Sequence, residues 1–158
     1  MFWEAKDLNI NIEPLLNVSS ADCVRLHKEG FLHAWSESEF DTLLSSANIT
    51  ADGVFLSQSK RLIGYILSRR VLDEAEILTI VMDQKYRNKK LATNLLQFHL
   101  ESLIKQGIKR LFLEVAETNQ AARKLYERLD FAIIGERQGY YRSENGERLK
   151  AHVMSKNL

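Results

Sequence analysis

The chain has 158 residues, of which 45% are hydrophobic and 27% are charged, and its formal net charge is +1. This length suits one hydrophobic core, so we expect residues 1–158 to form a single domain. The near-zero net charge provides no general attraction to nucleic acid or to a membrane surface. We therefore expect neither among the partners, and any anion site has to be local.

The cysteine and histidine content limits the possible sites and compartments. One cysteine, Cys23, excludes an internal disulfide framework and a multi-cysteine zinc site, and it is expected to act as a small apolar residue. The four histidines lack the spacing of metal ligands, so we predict no metal. Residues 1–7 do not resemble a signal peptide, and no stretch reaches roughly 18 apolar residues. These features predict a cytoplasmic protein.

Two short helices are predicted in the first third of the chain. The first covers about 20–29 and ends at Gly30. Ser36 and Glu39 have the spacing of a capping box and precede apolar residues at helical spacing. This pattern predicts a second helix over about 36–46.

Three strands are predicted next. The β-rich runs Val54–Ser57 and Leu62–Leu67 are separated by four polar residues, which is typical of a hairpin. A third strand, Glu76–Met82, follows a polar turn. We expect the three strands to lie in one sheet.

The longest predicted helix starts at Leu91, has apolar residues at i, i+4 spacing over about four turns, and stops before Gly107. The run Arg110–Val115 then predicts a strand. Residues 76–115 therefore form a β-helix-β unit whose strands are expected to be parallel neighbours with a right-handed crossover. The predicted fold class is α/β with a mixed sheet.

A shorter helix is predicted over about 119–128. Asn119 suits the N-cap, and Asp130 suits a position of positive φ just after the helix. Strands near 131–139 and 149–155 complete the predicted chain.

The segment between the third strand and the long helix is strongly basic. Lys85, Arg87, Lys89 and Lys90 place four cations within six residues. A helix N-terminus favours anions, and phosphate is the usual guest. The alternative, a solvated basic turn with no ligand, stays open at this point.

This segment, Arg87-x-x-Lys90-Leu91-Ala92, resembles the Gln/Arg-x-x-Gly-x-Gly/Ala signature of the GNAT superfamily of N-acetyltransferases. The resemblance implies a single-domain fold with a mixed, mostly antiparallel sheet, in which a central parallel β-α-β unit is flanked by helices. It also implies acetyl-CoA as co-substrate. It also implies that the third strand and the following loop bind that molecule. The residues are Ile80, Val81 and Met82 for the pantetheine arm, and Arg87, Asn88, Lys89, Lys90, Leu91, Ala92 and Thr93 for the pyrophosphate.

Lys90 departs from this signature, because glycine is usual where the backbone closely approaches an anion. We expect the lysine side chain to turn outward and offer its charge. The resemblance further implies that the two parallel strands splay apart near Val81 and Met82.

Further segments resemble a narrower group, the RimI-type ribosomal-protein-alanine N-acetyltransferases. They are residues 31–40 with Trp35-Ser36, the acidic 73–78, Leu113-Glu114-Val115, Asn119 with 122–131, and Gly139-Tyr140-Tyr141. This resemblance implies acetyl transfer to the N-terminal alanine of a small-subunit ribosomal protein. Another peptide, lysine or small-amine acceptor stays open, as does a non-catalytic acyl-CoA-binding module.

The resemblance also implies roles for three residues. Glu114 corresponds to the general base, although strand alternation alone makes it an ordinary solvent-facing carboxylate. Tyr126 corresponds to the general acid, although an aromatic residue on an amphipathic helix is commonly packing. Asn119 is implied to contact acetyl-CoA as well as to cap its helix. Trp35, Tyr140 and Tyr141 are candidates for the acceptor groove or for packing.

Overall fold

The computed structural model describes residues 8–16, 19–31, 34–87, 90–142 and 145–158, with the backbone alone for 140–142. Within these ranges the chain forms seven strands and four α-helices. The strands are β1 (Ile10–Pro14), β2 (Ile49–Leu56), β3 (Leu62–Val71), β4 (Glu74–Met82), β5 (Arg110–Ala116), β6 (Ala132–Arg142) and β7 (Arg148–Asn157). The helices are α1 (Ser20–Gly30), α2 (Glu37–Ser45), α3 (Leu91–Lys105) and α4 (Gln120–Arg128), with a 3₁₀ turn at Gln84–Tyr86.

All seven strands belong to one sheet, in the order β1-β2-β3-β4-β5-β7-β6. The pair β4–β5 is parallel, and the other neighbouring pairs are antiparallel. Helix α3 connects the two parallel strands, so the predicted β-helix-β unit and the mixed sheet are confirmed. The last strand, β7, inserts between β5 and β6.

The parallel strands part soon after they begin. Pairing between β4 and β5 covers only Glu74–Glu76 with Arg110–Phe112. Beyond this point β4 stays paired with β3 as far as Met82, and β5 stays paired with β7 as far as Ala116. A bulge at Leu78, where the register between β3 and β4 shifts, bends β4 at the same place. The facing edges of the two strands are therefore not paired with each other.

The helices cover the two faces of the sheet. Helices α3 and α4 pack on one face, in a core that includes Leu95, Leu111 and Leu113. Helices α1 and α2 pack on the other face, around Phe40 and Tyr65. No helix within the described ranges is long and apolar enough to cross a membrane.

Several local predictions are confirmed. The Ser36 side chain and the Glu39 side chain form both hydrogen bonds of a capping box at the start of α2. Helix α3 ends at Lys105 and is followed by Gly107 at φ +84°, with hydrogen bonds from the Gly107 N–H to the Ile104 carbonyl and from the Ile108 N–H to the Leu103 carbonyl. Asp130 has the predicted positive φ, 66°.

The predicted run Val54–Ser57 corresponds to strand β2, and its predicted start was wrong. Strand β2 begins at Ile49, five residues before the predicted Val54, because pairing with β3 extends to Arg69. The edge strand β1 was not predicted. Its residues Ile10 and Ile12 are half-buried, and pairing with β2 rather than a strong local pattern makes it a strand.

Candidate active site

Strand β4 presents its last three residues to both faces of the sheet. Val81 packs in the core beneath α1 and α2, whereas Ile80 and Met82 pack in the core beneath α3. Gly64 on β3 lies opposite Met82, and a Cβ atom added there would lie 2.2 Å from the Met82 sulfur. The glycine therefore allows Met82 to lie flat against β3 where β4 has separated from β5.

Helix α3 begins where β4 ends, after the short 3₁₀ turn. Lys90 is its N-cap and adopts a left-handed conformation, φ 61° and ψ 12°. The first intrahelical hydrogen bond is from the Asn94 N–H to the Lys90 carbonyl, so the N–H groups of Leu91, Ala92 and Thr93 have no partner within the helix. The Lys90 side chain makes no capping hydrogen bond with the described residues, and it is exposed.

The segment between β4 and α3 is held by Asp83 and Arg87. The Asp83 carboxylate accepts a hydrogen bond from the Lys85 N–H at 3.0 Å. The Arg87 Nε donates to the Met82 carbonyl at 3.4 Å. Asn88 and Lys89, two of the predicted phosphate-binding residues, lie outside the described residues. The positive φ of Lys90 is a conformation that glycine adopts more readily than other residues, which is consistent with glycine being usual at this position of the signature.

Glu114 lies on β5, beside the edge that β4 leaves. It alternates with Leu113 and Val115, which pack under α3 and α4, so its side chain emerges on the opposite face, as predicted. The side chain is 19% exposed, and its Oε1 accepts a hydrogen bond from Arg137 Nη1 on β6 at 3.2 Å. Sequence reasoning missed Arg137, because its contact with Glu114 spans β7, which lies between β5 and β6 and comes from the last residues of the chain.

Tyr126 and Asn119 are both on α4 or its start. Tyr126 is 5% exposed, and its ring centroid lies 5.6 Å from that of Phe131. It belongs to the same core as Leu113 and Val115. Asn119 Oδ1 accepts a hydrogen bond from the Ala122 N–H at 3.2 Å, which confirms the predicted N-cap. The side chains of Glu114 and Tyr126 therefore lie on opposite faces of the sheet.

A cavity of about 440 Å³ opens on the face from which Glu114 emerges. Trp35 and Leu43 form its apolar wall on the helix side, and Leu78, at the β4 bulge, lies on the strand side. Its polar lining comprises Ser38, Glu39, Thr42 and Arg69. A second cavity of about 220 Å³ shares Arg69 and reaches Phe112 on β5. Sequence reasoning identified Trp35 but not Arg69.

The remaining chemically notable residues are buried. Cys23 is fully buried, and burial, with a smaller effect of Asp22, raises the pKa of its thiol to about 12. His99 is fully buried on α3 and hydrogen-bonds Ser68 and Asp52. Among the described residues no group of three or more His, Cys, Asp or Glu could hold a metal ion. The side chains of Tyr140 and Tyr141 lie outside the description.

Comparison with known proteins gives consistent matches. Residues 20–131 match the model of the acetyltransferase (GNAT) family. The [ribosomal protein bS18]-alanine N-acetyltransferase of Escherichia coli K12 is 33% identical over 122 residues, which are 76% of this chain and 80% of that protein. The enzyme of the same name from Haemophilus influenzae is 30% identical and covers 87% of this chain and 94% of its own.

Solved structures agree with these matches. The crystal structure of the Escherichia coli ribosomal-protein-S18-alanine N-acetyltransferase has a TM-score of 0.86 and 27% identity, and covers 94% of each chain. Arabidopsis thaliana NAA60 in complex with acetyl-CoA shares the fold, with a TM-score of 0.83 at 17% identity and coverage of 95% and 99%. From the family match and the shared sheet, this chain belongs to the GNAT family of acetyltransferases.

Proposed function

We propose that this acetyltransferase transfers the acetyl group of acetyl-CoA to the N-terminal alanine of a small-subunit ribosomal protein. The observation that carries the proposal is the gap between β4 and β5, with Glu114 on one side of the sheet and Tyr126 on the other. The acceptor follows from the relatives, which are named for alanine acetylation of ribosomal protein bS18. We also propose that residues 1–158 form a single domain and that the protein acts in the cytoplasm.

The residues around the gap fit acetyl-CoA. The unpaired edge of β4 offers backbone groups to the amides of the pantetheine arm, beside Ile80, Val81 and Met82. The N–H groups of Leu91, Ala92 and Thr93, which have no partner within α3, are the proposed donors to the pyrophosphate, because the N-terminus of a helix favours negative charge. The first turn of α3 carries no acidic side chain. The proposed binding set is completed by Arg87, Asn88, Lys89, Lys90 and Asn119.

Glu114 is the proposed general base. An α-amino group has a pKa of about 8, so most of it is protonated at neutral pH and has to lose a proton before it can attack. The Glu114 carboxylate lies on the cavity side of the sheet and accepts that proton directly or through a water molecule. Its hydrogen bond from Arg137 fixes the carboxylate on the strand.

Tyr126 is the proposed general acid. The group that leaves when acetyl is transferred is a thiolate, and a hydroxyl group near the sulfur can protonate it. The Tyr126 ring is held by Phe131 and the core under α4, so the position of its hydroxyl is set by packing. A backbone N–H near Val81 or Met82, on the edge of β4 that β5 does not pair, is the proposed donor to the carbonyl oxygen of the thioester.

The test is an acetyl-transfer assay with radiolabelled acetyl-CoA. The substrates are an alanine-starting peptide from the N-terminus of the ribosomal protein, the same peptide with a blocked α-amine, and a set of lysine peptides and polyamines. We expect label on the first peptide and none on the blocked one. Label on other amines only would contradict the proposed acceptor. Binding of acetyl-CoA without transfer to any amine would favour the non-catalytic binding module.

A further inference from the structure

His27, near the end of α1, lies in a stack of aromatic side chains. Its ring centroid is 4.3 Å from that of Phe31 and 4.7 Å from that of Trp35, with interplanar angles of 14° and 18°. Phe40 meets the same ring edge-on at 5.5 Å. The side chain is almost completely buried, with 2% of the residue exposed. The imidazole is therefore the central ring of the packing between α1 and α2.

A hydrogen bond sets the protonation state of this ring. The backbone N–H of Trp35 donates to His27 Nδ1 at 3.1 Å. Nδ1 can accept only if it carries no proton, so the imidazole is neutral and its proton is on Nε2. A second proton on the ring would remove the acceptor and replace this bond with two opposed donors.

Trp35 connects this stack to the cavity, because it is the aromatic residue of the cavity wall next to Leu43 and Leu78. We propose that His27 is a positioning residue for acceptor binding, which holds Trp35 as the cavity wall as long as the imidazole is neutral. The inference rests on the proposed function, in that the cavity on the Glu114 face receives the acceptor. Protonation of His27 releases the Trp35 backbone and weakens acceptor binding without a direct effect on acetyl-CoA.

The surroundings of His27 support this behaviour. Burial lowers the pKa of the imidazole below its ordinary 6.5, and the Glu39 carboxylate on α2 opposes this in part. On α1, Cys23 lies one turn earlier with a neutral thiol, and Lys28 is exposed. On β3, Tyr65 lies against Phe40, and burial raises the pKa of its phenol, which therefore stays neutral. The fold thus favours neutral His27, and its contribution to stability decreases as the pH falls below 6.5.

Three variants separate the hydrogen bond from the stack. His27→Asn places an amide oxygen near the position of Nδ1, so it keeps an acceptor for Trp35 but does not titrate. His27→Phe keeps an aromatic ring in the stack but has no acceptor. Lys28→Gln, on the exposed side of the same helix, is the matched control.

The first measurement is the KM of the acceptor peptide and of acetyl-CoA between pH 7.5 and 5.5. At each pH the KM of each variant is divided by that of wild type, so that the effect of ionisation of the peptide amine cancels. We expect the peptide KM of wild type and Lys28→Gln to rise about fivefold more toward acid pH than that of His27→Asn, the equivalent of one hydrogen bond. His27→Phe has a raised peptide KM throughout, and the KM of acetyl-CoA is unchanged. The same acid dependence in His27→Asn and wild type would overturn the proposal.

The second measurement does not depend on acetyl transfer, so it separates this inference from the proposed function. The chain has two tryptophans, and Trp3→Phe leaves Trp35 as the only one. We expect its fluorescence to change in acid with a midpoint below 6.5, because a protonated imidazole quenches a stacked indole. His27→Asn in the same background is expected to show no such midpoint. A flat titration with His27 present, or an equal midpoint in the His27→Asn variant, would refute the role of His27 even in a protein that acetylates nothing.

Discussion

Glu114 lies on a strand whose alternation makes it an ordinary outward-facing carboxylate, and its neighbours rather than its strand make it a candidate base. Its side chain is 19% exposed and hydrogen-bonded to Arg137. Tyr126, by contrast, is nearly buried, and its ring packs on Phe131. Both side chains are held in place, so a change that removes only the carboxylate charge or the phenol hydroxyl is expected to affect chemistry more than the fold.

We predict that Glu114→Gln and Tyr126→Phe each lower kcat by about 10² or more, because each removes one proton-transfer group. Both changes are nearly isosteric, so the thermal midpoint is expected to change little. Steady-state kinetics and thermal melts check this, with Glu101→Gln on the exposed side of α3 as the control. A kcat close to that of wild type would reduce the corresponding residue to packing.

Lys90 has a backbone conformation that non-glycine residues adopt at a cost. Its φ of 61° lies in the left-handed region, and a cation at a helix N-terminus also opposes the dipole. The exposed lysine side chain compensates only if an anion binds nearby. A change to glycine is therefore expected to alter the stability of the protein more clearly than its affinity for the anion.

We predict that Lys90→Gly raises the free energy of unfolding by up to about 1 kcal/mol, through relief of the left-handed strain. It is expected to leave the affinity for coenzyme A within about tenfold, since the lost charge offsets the closer backbone approach. Urea unfolding and isothermal calorimetry measure the two effects. Lys90→Ala, which loses the charge but keeps the strained φ, is the control. An affinity several hundredfold higher in Lys90→Gly would show that the lysine obstructs the site.

Helix α3 is joined to the sheet by a buried polar chain as well as by apolar packing. Ser68 Oγ lies 2.7 Å from His99 Nε2, and His99 Nδ1 lies 2.6 Å from Asp52 Oδ2. The three residues are at most 1% exposed, and they connect β2, β3 and α3. These linked hydrogen bonds fix the position of the helix along its axis, because each buried polar group has to keep its partner.

We predict that His99→Leu destabilises the protein by about 3 kcal/mol, since it leaves the Asp52 carboxylate buried and unpaired. The double variant Asp52→Leu with His99→Leu is expected to be less destabilised than the single variant, because both polar partners are then gone. Urea unfolding of His99→Leu, Asp52→Leu and the double variant measures the difference. A double variant with the sum of two independent losses would contradict the coupling.

At the scale of the whole molecule, two ionisable groups are kept neutral in the core beneath α1 and α2. Burial raises the pKa of the Cys23 thiol from 9.0 to about 12, and burial also raises the pKa of the Tyr65 phenol. In the unfolded chain both groups ionise at their ordinary values. Above pH 9 the unfolded state therefore binds fewer protons than the folded state, and stability falls as the pH rises.

We predict that the free energy of unfolding decreases between pH 9 and pH 11. Cys23→Ala is expected to have a slope that is shallower by up to about 1.4 kcal/mol per pH unit. Urea unfolding at several pH values measures both slopes. The same slope in Cys23→Ala and wild type would show that the thiol is not the titrating group.

The sequence by itself determined the features that depend on neighbouring residues. The capping box of Ser36 and Glu39, the span of α3 and the positive φ of Asp130 are set by hydrogen bonds or sterics within one turn, so they can be predicted locally. The order of strand, long helix and strand over residues 76–115 likewise predicted the β-helix-β unit. Glu114 and Tyr126 were identified through the resemblance, and their geometry could not be predicted from it.

Only the tertiary structure decided the rest, because it depends on contacts between distant segments. Strand β1 exists through its pairing with β2, and Arg137 on β6 reaches Glu114 on β5 across the intervening β7. The gap between β4 and β5 arises where each strand keeps a different partner. The His27–Trp35 stack needs α1 and α2 to pack together. No local pattern carries such information, since the free energy of each contact is gained only when the whole sheet has formed.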